Sequence, residues 1–205
     1  TGHPHFGNNQ THIYIAIRRG TAVPTSATEV FDVQTYTAST GTVRSRNFAP
    51  DMLLGKSRTL GDSGVVTDRL RGFLSSNSNL SPSLFPALTN AEANQYPDEY
   101  NVNNNSFTDG GYYNNYSLVK YAWKRAPSYM DCVAYLGNST AGRTVSHNLG
   151  VAPEMMWIKG RSAAYDWVVY HKAIGNSKIL NLNETIGGYT QANFNNTDPT
   201  SSVFT

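Results

Sequence analysis

The stretch VSHNLGVAPEMMWIKGRSAAYDWVVYH, residues 145–171, decides the fold of this chain. It contains two apolar runs, at 155–158 and 167–170, and the polar link 159–166 joins them. Two short apolar runs separated by a polar connection are typical of paired β-strands. The stretch therefore predicts a β-hairpin.

The same pattern occurs earlier in the chain, between residues 43 and 68. A constant offset of 103 residues (153 − 50 and 175 − 72) relates the two copies. It places Ala49-Pro50 on Ala152-Pro153, Met52 on Met155, Lys56 on Lys159, Arg58 on Arg161, Val65-Val66 on Val168-Val169 and Gly72 on Gly175. A register that carries Pro, Lys, Arg and Gly together indicates a duplicated unit. We expect residues 51–71 and 154–174 to form equivalent strand pairs.

A second repeated element predicts how the units are bounded. The run IYIAIR at 13–18 corresponds to VKYAWKR at 119–125, with Ala16 on Ala122 and Arg19 on Arg125 at an offset of 106 (122 − 16). A proline-bearing link and an Asp-centred strand are predicted after each, at 30–37 and at 130–136. We therefore expect residues 1–20 to end a preceding unit, 21–126 to form a first β unit and 127–205 a second. The second unit is expected to be incomplete, so that a longer polypeptide or a neighbouring chain completes its sheet.

Composition favours an all-β protein rich in loops, and together with the repeat it leads us to expect tandem β-sandwich-like units, of the jelly-roll or lectin-like kind. Charged residues make up 15% of the chain and aromatic residues 12%, with Tyr, Asn, Ser, Thr and Gly abundant. This balance suits strands joined by many loops. The net charge of +2 is small and scattered, which argues against a nucleic-acid partner. No apolar run is long enough to predict membrane insertion.

Few residues suggest a catalytic, metal-binding or cofactor-binding role. One cysteine, Cys132, allows no intramolecular disulfide and no thiolate cluster, so we expect a core residue and no metal or cofactor. His147 and His171 are expected to make structural hydrogen bonds, and the adjacent Asp98 and Glu99 to be solvated charges. No GxSxG, HExxH or Walker motif is present, and no enzymatic activity is predicted.

Aromatic residues give the only candidate contact surface. Trp123, Trp157 and Trp167 lie inside apolar runs, which predicts core positions. The cluster Tyr112, Tyr113, Asn114 and Tyr116 instead follows Asp109-Gly110-Gly111, a turn signal that predicts a hairpin. Tyrosine and asparagine together suit adhesive surfaces, although packing inside a strand or a subunit contact would explain them equally well.

The strings HNLGVAPEMMWIKGR (147–161) and DWVVYHKAIGN (166–176) resemble a repeat found in virion proteins of marine and cyanobacterial tailed phages. The lead-in YAWKRAPSYMDCVAYLGNSTAGRTVSHNLG (121–150) is similar to the same family. The resemblance covers most of 119–205 and extends more weakly to 30–72. It departs from the pattern at Leu53-Leu54-Gly55 and at Thr67-Asp68, where an apolar strand residue and Tyr-His are expected.

The resemblance implies a structural, adhesive protein on the surface of the phage particle, such as a tail fibre or similar appendage. Expected partners are other virion proteins, identical copies in a homo-oligomer, and a host surface glycan as a candidate receptor. Two alternatives remain open at this point. One is a capsid-attached decoration or fibre protein, and the other is a glycan-depolymerising enzyme of the tailspike type.

Overall fold

The computed structural model describes residues 22–73, 81–95 and 99–205. Within these residues the regular structure is β-strand, apart from a 3-10 turn at Ala27–Glu29. The strands are antiparallel and build tandem β-sandwich-like units, which confirms the predicted all-β class. In chain order they are β1 (Phe31–Thr37), β2 (Val43–Ser45), β3 (Met52–Ser57), β4 (Val65–Asp68), β5 (Ser81–Ser83), β6 (Ala93–Gln95), β7 (Glu99–Tyr100), β8 (Ser106–Asp109), β9 (Ser117–Trp123), β10 (Val145–Ser146), β11 (Met155–Ile158), β12 (Val168–His171), β13 (Lys178–Asn181), β14 (Tyr189–Thr190) and β15 (Val203–Phe204).

Two of the expected features, the strand at 13–18 and the end of a preceding unit at 1–20, lie outside the described residues. Each β-sheet draws its strands from one side of residue 127 only. We use the term first unit for the described part of 22–126 and second unit for 127–205.

The first unit is organised around a four-stranded sheet in the order β1-β9-β3-β4. Strand β9 comes last in the chain but lies in the middle, paired with β1 on one side and with β3 on the other. Its alternate residues Leu118, Lys120 and Ala122 are buried, which is the two-residue period of a strand with one face turned to a core.

A second sheet, in the order β2-β8-β7, covers that face. Phe107 of β8 is fully buried, and its ring lies 5.7 Å from Lys120 Nζ and 4.9 Å from the Arg46 guanidinium. Glu99 of β7 forms an ion pair with Lys120. The two sheets therefore enclose both an apolar core and a buried ionic group.

The two predicted strand pairs are present and share one register, which confirms that prediction. Met52 pairs with Asp68 in the first unit, and Met155 pairs with His171 in the second, so both partners are displaced by 103 residues. The connection after each hairpin is also alike, because Gly72 and Gly175 both have positive φ, at 97° and 76°. Glycine adopts this left-handed region without a steric penalty.

Hydrogen bonds repeat with the strands. The amide of Arg69 donates to Asp51 O, and the amide of Lys172 donates to Glu154 O, each at 2.8 Å. The side chains of the same residues form ion pairs, Arg69 with Asp51 at 2.8 Å and Lys172 with Glu154 at 3.3 Å. The same backbone hydrogen bond and the same ion pair therefore form in both units, although both charged residues differ in type.

The equivalence continues into a stretch where the two sequences diverge. Val66 bridges to Leu84, and its counterpart Val169 pairs with Leu180. Strands β5 and β6 then pair with each other as β13 and β14 do. The repeat therefore includes a third and a fourth strand that the alignment of the two sequence copies does not reveal.

The second layer is repeated as well. Strand β2 pairs with β8 in the first unit, as β10 pairs with β15 in the second. A tight turn precedes each partner: Asn103 N donates to Ser106 O at 2.9 Å, and Thr200 N donates to Val203 O at 2.8 Å. The offset here is 97 residues (200 − 103), so Phe204 occupies the place of Phe107.

One predicted strand does not form. Residues 131–137 are without regular structure, and Met130 makes only an isolated bridge with Ala126, so the expectation of a strand at 130–136 is wrong. The counterpart β1 is a strand because β9 supplies its hydrogen-bonding partner. In the part of the second unit that the structure describes, no strand takes the place of β9, so backbone groups at 131–137 have no ladder to join.

The units contact each other through Trp167, whose side chain is 4% exposed. It packs with Val66 and Leu84 of the first unit, and its Nε1 donates to Phe85 O at 2.8 Å. Beside it, Arg161 and Glu92 form a bidentate ion pair with both distances at 2.9 Å. The core position predicted for Trp167 is confirmed, and the core in question lies between the units.

Candidate functional site

The tyrosine cluster is carried by a turn that connects two sheets. Asp109 ends β8, and the chain turns at 111–115 before entering β9, which belongs to the other sheet. The predicted hairpin is therefore wrong, because β8 and β9 are not partners. Asp109 is itself buried and forms an ion pair with Arg44 at 2.7 Å. Its carboxylate also accepts the amide of Ser39 at 3.1 Å.

Tyr113 is a core residue and not a surface contact. Its side chain is 0% exposed, packs with Ala38 and Leu118, and donates its hydroxyl to the Asp62 carboxylate. Tyr112 is half-buried and meets Tyr113 in an edge-on contact with 4.6 Å between ring centroids. This corrects the expectation for Tyr113, which was predicted as part of a contact surface because tyrosine and asparagine follow a turn signal.

The outward part of the cluster consists of Asn114 and Tyr116. Tyr116 is 38% exposed, and Asn114 is exposed while its Oδ1 accepts the amide of Thr40 at 3.1 Å. Asn115 between them has a φ of 68°, which asparagine tolerates better than most residues. This segment therefore presents one aromatic ring, Tyr116, and two amides, Asn114 and Asn115, to solvent.

The histidines make local structural hydrogen bonds. His147 is buried, with Nδ1 accepting the amide of Leu149 at 3.3 Å and Nε2 lying 3.2 Å from Thr200 O. Because Nδ1 accepts, Nε2 carries the proton and donates. His171 Nδ1 accepts the amide of Ala173 at 3.2 Å. No group of three His, Cys, Asp or Glu side chains suited to a metal occurs among the described residues.

The strongest polar group lies inside the sandwich. Glu99 accepts from Lys120 at 2.5 Å and from the hydroxyl of Thr67, and all three side chains are buried. Solvation of Glu99 was expected, and this is wrong: β7 belongs to the sheet that covers β9. Asp98 lies outside the described residues. The enclosed geometry suits structural bonding and gives a substrate no path to the carboxylate.

An apolar cavity of about 370 Å³ lies on the second unit and is bordered also by Met52 and Trp123 of the first unit. It lies between β11 and the irregular segment 130–136, and we call it the edge groove. Its lining consists of Met52, Trp123, Tyr129, Met130, Asp131, Cys132, Val133, Tyr135, His147, Leu149, Pro153, Met155, Met156, Trp157, Ile158, Lys159 and Phe204. A second cavity of about 360 Å³ shares Tyr135, Ile158 and Phe204 with it, so the depression continues along β11.

The edge groove coincides with the place that β9 fills in the first unit. There, β9 lies between β1 and β3. In the second unit the equivalent positions are the segment 130–136 and β11. Met155 is 51% exposed and Trp157 37% exposed along this edge, so the core position predicted for Trp157 is wrong. Trp123 is half-buried, stacked on Tyr121 and tilted against Phe31, so the core position predicted for it is not confirmed either.

Cys132 lines the edge groove and is half-buried. Burial, with a smaller contribution from the nearby Asp68 carboxylate, raises the pKa of its thiol to about 11. The thiol is therefore neutral at physiological pH and behaves as a weakly polar packing group.

Among the described residues, no helix has the length and apolar character needed to cross a membrane. A family model described as Domain of unknown function (DUF7483) matches residues 26–205, and the chain belongs to this family. No curated protein and no solved structure matches the chain.

Proposed function

We propose that this member of the DUF7483 family is a structural protein of the phage particle, an appendage of the tail-fibre kind with an adhesive role. The observation that carries the proposal is the repetition of one β unit along the chain, with strand register and ion pairs preserved. Repeated units that contact their neighbours build an elongated object. The resemblance of 147–161 and 166–176 to virion repeats supports this assignment.

The junction between the units fits a role that needs a defined shape. Trp167 is enclosed by residues of the first unit, and Arg161 is held by both oxygens of Glu92. A planar guanidinium held by two hydrogen bonds fixes orientation as well as distance. Successive units are thus held at one angle, as an appendage requires.

The adhesive role is assigned to the turn at 111–115 and to Tyr116 beside it. Tyr116 offers an exposed ring and Asn114 an amide, a combination suited to the faces and hydroxyls of a sugar. A single contact of this size binds weakly. Identical copies around a symmetry axis would present several such turns together, and linked weak sites gain strength through avidity. We therefore include homo-oligomerisation and contact with other virion proteins in the proposal.

The proposal includes no catalysis. The buried carboxylate Glu99 is occupied by Lys120 and Thr67, and the histidine nitrogens contact backbone groups. The edge groove is lined mainly by hydrocarbon and aromatic side chains, with Asp131 already accepting from Arg125 and from the amide of Asn148. These contacts use the polar groups for structure.

Locating the protein in purified phage particles tests the proposal. An antibody against the chain, carried on gold and viewed by electron microscopy, should label the tail region. Labelling distributed over the capsid would instead support a decoration protein. Absence of the chain from purified particles would overturn the structural assignment. Hydrolysis of host surface glycan by the purified chain would overturn the non-catalytic part.

A further inference from the structure

We propose that the edge groove is a docking site for a β-strand of another polypeptide, which enters between β11 and the segment 130–136 and pairs with β11. The strand that fits is extended, carries no charge on the side chains that face the core, and is followed by a basic residue. The inference concerns a partner of the second unit. It goes beyond the proposed function and does not depend on it.

The segment 130–136 lies where β1 lies in the first unit. Tyr135 corresponds to Tyr36 at an offset of 99 residues (135 − 36), and a guanidinium lies over each ring. That of Arg44 is 4.0 Å from the centroid of Tyr36, and that of Arg143 is 5.9 Å from the centroid of Tyr135. Tyr36 is half-buried beside β9, whereas Tyr135 is exposed. The two tyrosines therefore share one kind of neighbour and differ in what covers them.

The aspartates of the two segments correspond at the same offset (131 − 32). Asp32 accepts from Arg46, which directly follows β2. Asp131 accepts the amide of Asn148, two residues after β10, at 2.8 Å. Because β2 and β10 are equivalent strands, the aspartates hold their segments at the same place in each unit. The segment 130–136 therefore borders the edge groove as β1 borders β9.

The other border of the groove is the outer edge of β11. Lys172 N donates to Glu154 O, and hydrogen-bonded pairs alternate along an antiparallel ladder, so the amides of Met155 and Trp157 point away from β12. Among the described residues, no strand pairs with that edge. The same edge of β3 pairs with β9 along the whole strand. An unpaired strand edge beside an apolar groove is the arrangement that accepts an added strand.

Strand β9 shows which side chains the place accepts. Moving its register with β3 by 103 residues puts the counterpart of Ala122 opposite Met156 and the counterpart of Lys120 opposite Ile158. Lys120 itself lies opposite Gly55, which leaves room for a long side chain. Isoleucine at the same place in β11 fills part of that space. The docked strand therefore needs alanine or a short aliphatic residue at both positions.

The absence of charge follows from the lining. Lys120 is tolerated inside the first unit because Glu99 forms an ion pair with it. Among the described residues that line the edge groove, Asp131 is the only carboxylate, and it already accepts from Arg125. A lysine in the docked strand would be buried without a partner, which is costly. The core-facing side chains of the occupant are therefore uncharged.

The charge at the end of the groove gives the third requirement. In the first unit the Asp51 carboxylate accepts the amide of Arg125, two residues after β9 ends, at 2.7 Å. The counterpart of Asp51 is Glu154, whose side chain is 77% exposed beside Lys172. A basic residue that follows the docked strand would meet this carboxylate. Opposite charges then favour the antiparallel direction that β9 has against β3.

Peptide binding tests the proposal. The probe is a fluorescent peptide with the sequence of residues 117–125 and the substitution K120V, SLVVYAWKR, which meets the three requirements. Fluorescence anisotropy with the full chain should show saturable binding. The affinity should be at least tenfold higher than that of the native sequence SLVKYAWKR, and a scrambled peptide should not bind. Equal affinity of the valine and lysine peptides would overturn the proposal.

Two matched variants of the chain locate the binding site. V133R places a charge in the groove lining, and V33R makes the same change at an exposed valine of β1 outside that lining. V133R should weaken binding of SLVVYAWKR at least tenfold, whereas V33R should leave it unchanged. Circular dichroism confirms that both variants fold. Equal binding by wild type and V133R would overturn the proposal.

Hydrogen exchange measured by NMR tests the register. The peptide should slow exchange of the Met155 and Trp157 amides at least tenfold, whereas those of Met156 and Ile158 face β12 already and should change little. Protection confined to other strands would overturn the proposal. An oligomer of the chain that the peptide dissociates would also overturn it, because the occupant would then be a second copy. So would the absence of saturable binding, since the groove would then accept no strand from outside.

Discussion

Lys120 Nζ lies 2.5 Å from Glu99 Oε2, and neither side chain is open to solvent. A buried pair of this kind contributes little when both partners are present, but removing one of them leaves an uncompensated charge. Thr67 accompanies the pair by donating its hydroxyl to Glu99.

The first prediction follows from that pair. K120M should lower the free energy of unfolding by about 3–5 kcal/mol, and the double variant K120M/E99Q should recover a large part of the loss. Urea denaturation followed by tryptophan fluorescence measures both. K178M, at an exposed position, is the matched control and should change stability by less than about 0.5 kcal/mol. A double variant as unstable as K120M would contradict this account.

The junction between the units should respond to acid. The hydrogen bonds from Arg161, together with the charges of Arg161 and Arg71, lower the pKa of Glu92 against the opposing effect of burial. A lowered pKa in the folded state means that Glu92 stabilises the fold above its ordinary pKa near 4.5. That stabilisation is lost as the pH falls through the lowered value.

Thermal melts of wild type and E92Q at several pH values check this second prediction. The difference in Tm should be largest at neutral pH and should shrink below pH 4. E154Q is the matched control, because Glu154 is exposed in its pair with Lys172 and should matter little at neutral pH. A constant difference for E92Q across the pH range would show that the loss has another origin.

A third prediction concerns the reactivity of Cys132. With a pKa of about 11, the thiol of Cys132 should have a thiolate fraction at pH 8 about 100-fold lower than that of an ordinary cysteine. Only the thiolate attacks an alkylating reagent. Alkylation by iodoacetamide should therefore be slow in the native protein and should accelerate as the pH rises toward 11. The unfolded chain in urea supplies the reference, and equal rates in the two states would refute the raised pKa.

The tyrosine cluster should divide into structural and surface residues. Y113A should cost about 3–5 kcal/mol, since it removes a fully buried ring. Y116A should cost less than about 1 kcal/mol, because Tyr116 is 38% exposed. Particles carrying Y116A should assemble normally and adsorb to host cells more slowly than wild type. Normal adsorption would remove Tyr116 from the proposed adhesive surface.

The two hairpins could be predicted from the sequence because the residues that specify each hairpin lie within that hairpin. Apolar runs, a preceding proline and a following glycine recur at one offset, and each acts within its own hairpin. Strands β5 and β6 escaped prediction since their pairing requires only a backbone ladder and Ser81–Ser83 carries no apolar alternation. Periodicity cannot reveal a strand whose side chains lack it.

The candidate site was harder to predict for a different reason. The segment 130–136 has the residues of a core strand, but strand formation there depends on a partner strand in the middle of the sheet. The burial of Trp157, which lies in the formed strand β11, depends on the same partner. The burial of Glu99 and Tyr113 likewise depends on which sheet each neighbouring strand joins. Tertiary pairing of this kind leaves no local signature.

The position of β9 has a consequence for the order of events during synthesis. This strand is made last in its unit. Its first residue, Ser117, pairs with Thr37 at the end of β1, 80 residues earlier in the chain (117 − 37). While a ribosome is still translating residues 58–116, β1 and β3 have been synthesised without the strand that separates them. Pairing across so long a separation is intrinsically slow. We therefore expect the first unit to remain without β9 between β1 and β3 until residue 123 has been synthesised. The rate of translation should then influence the yield of folded protein.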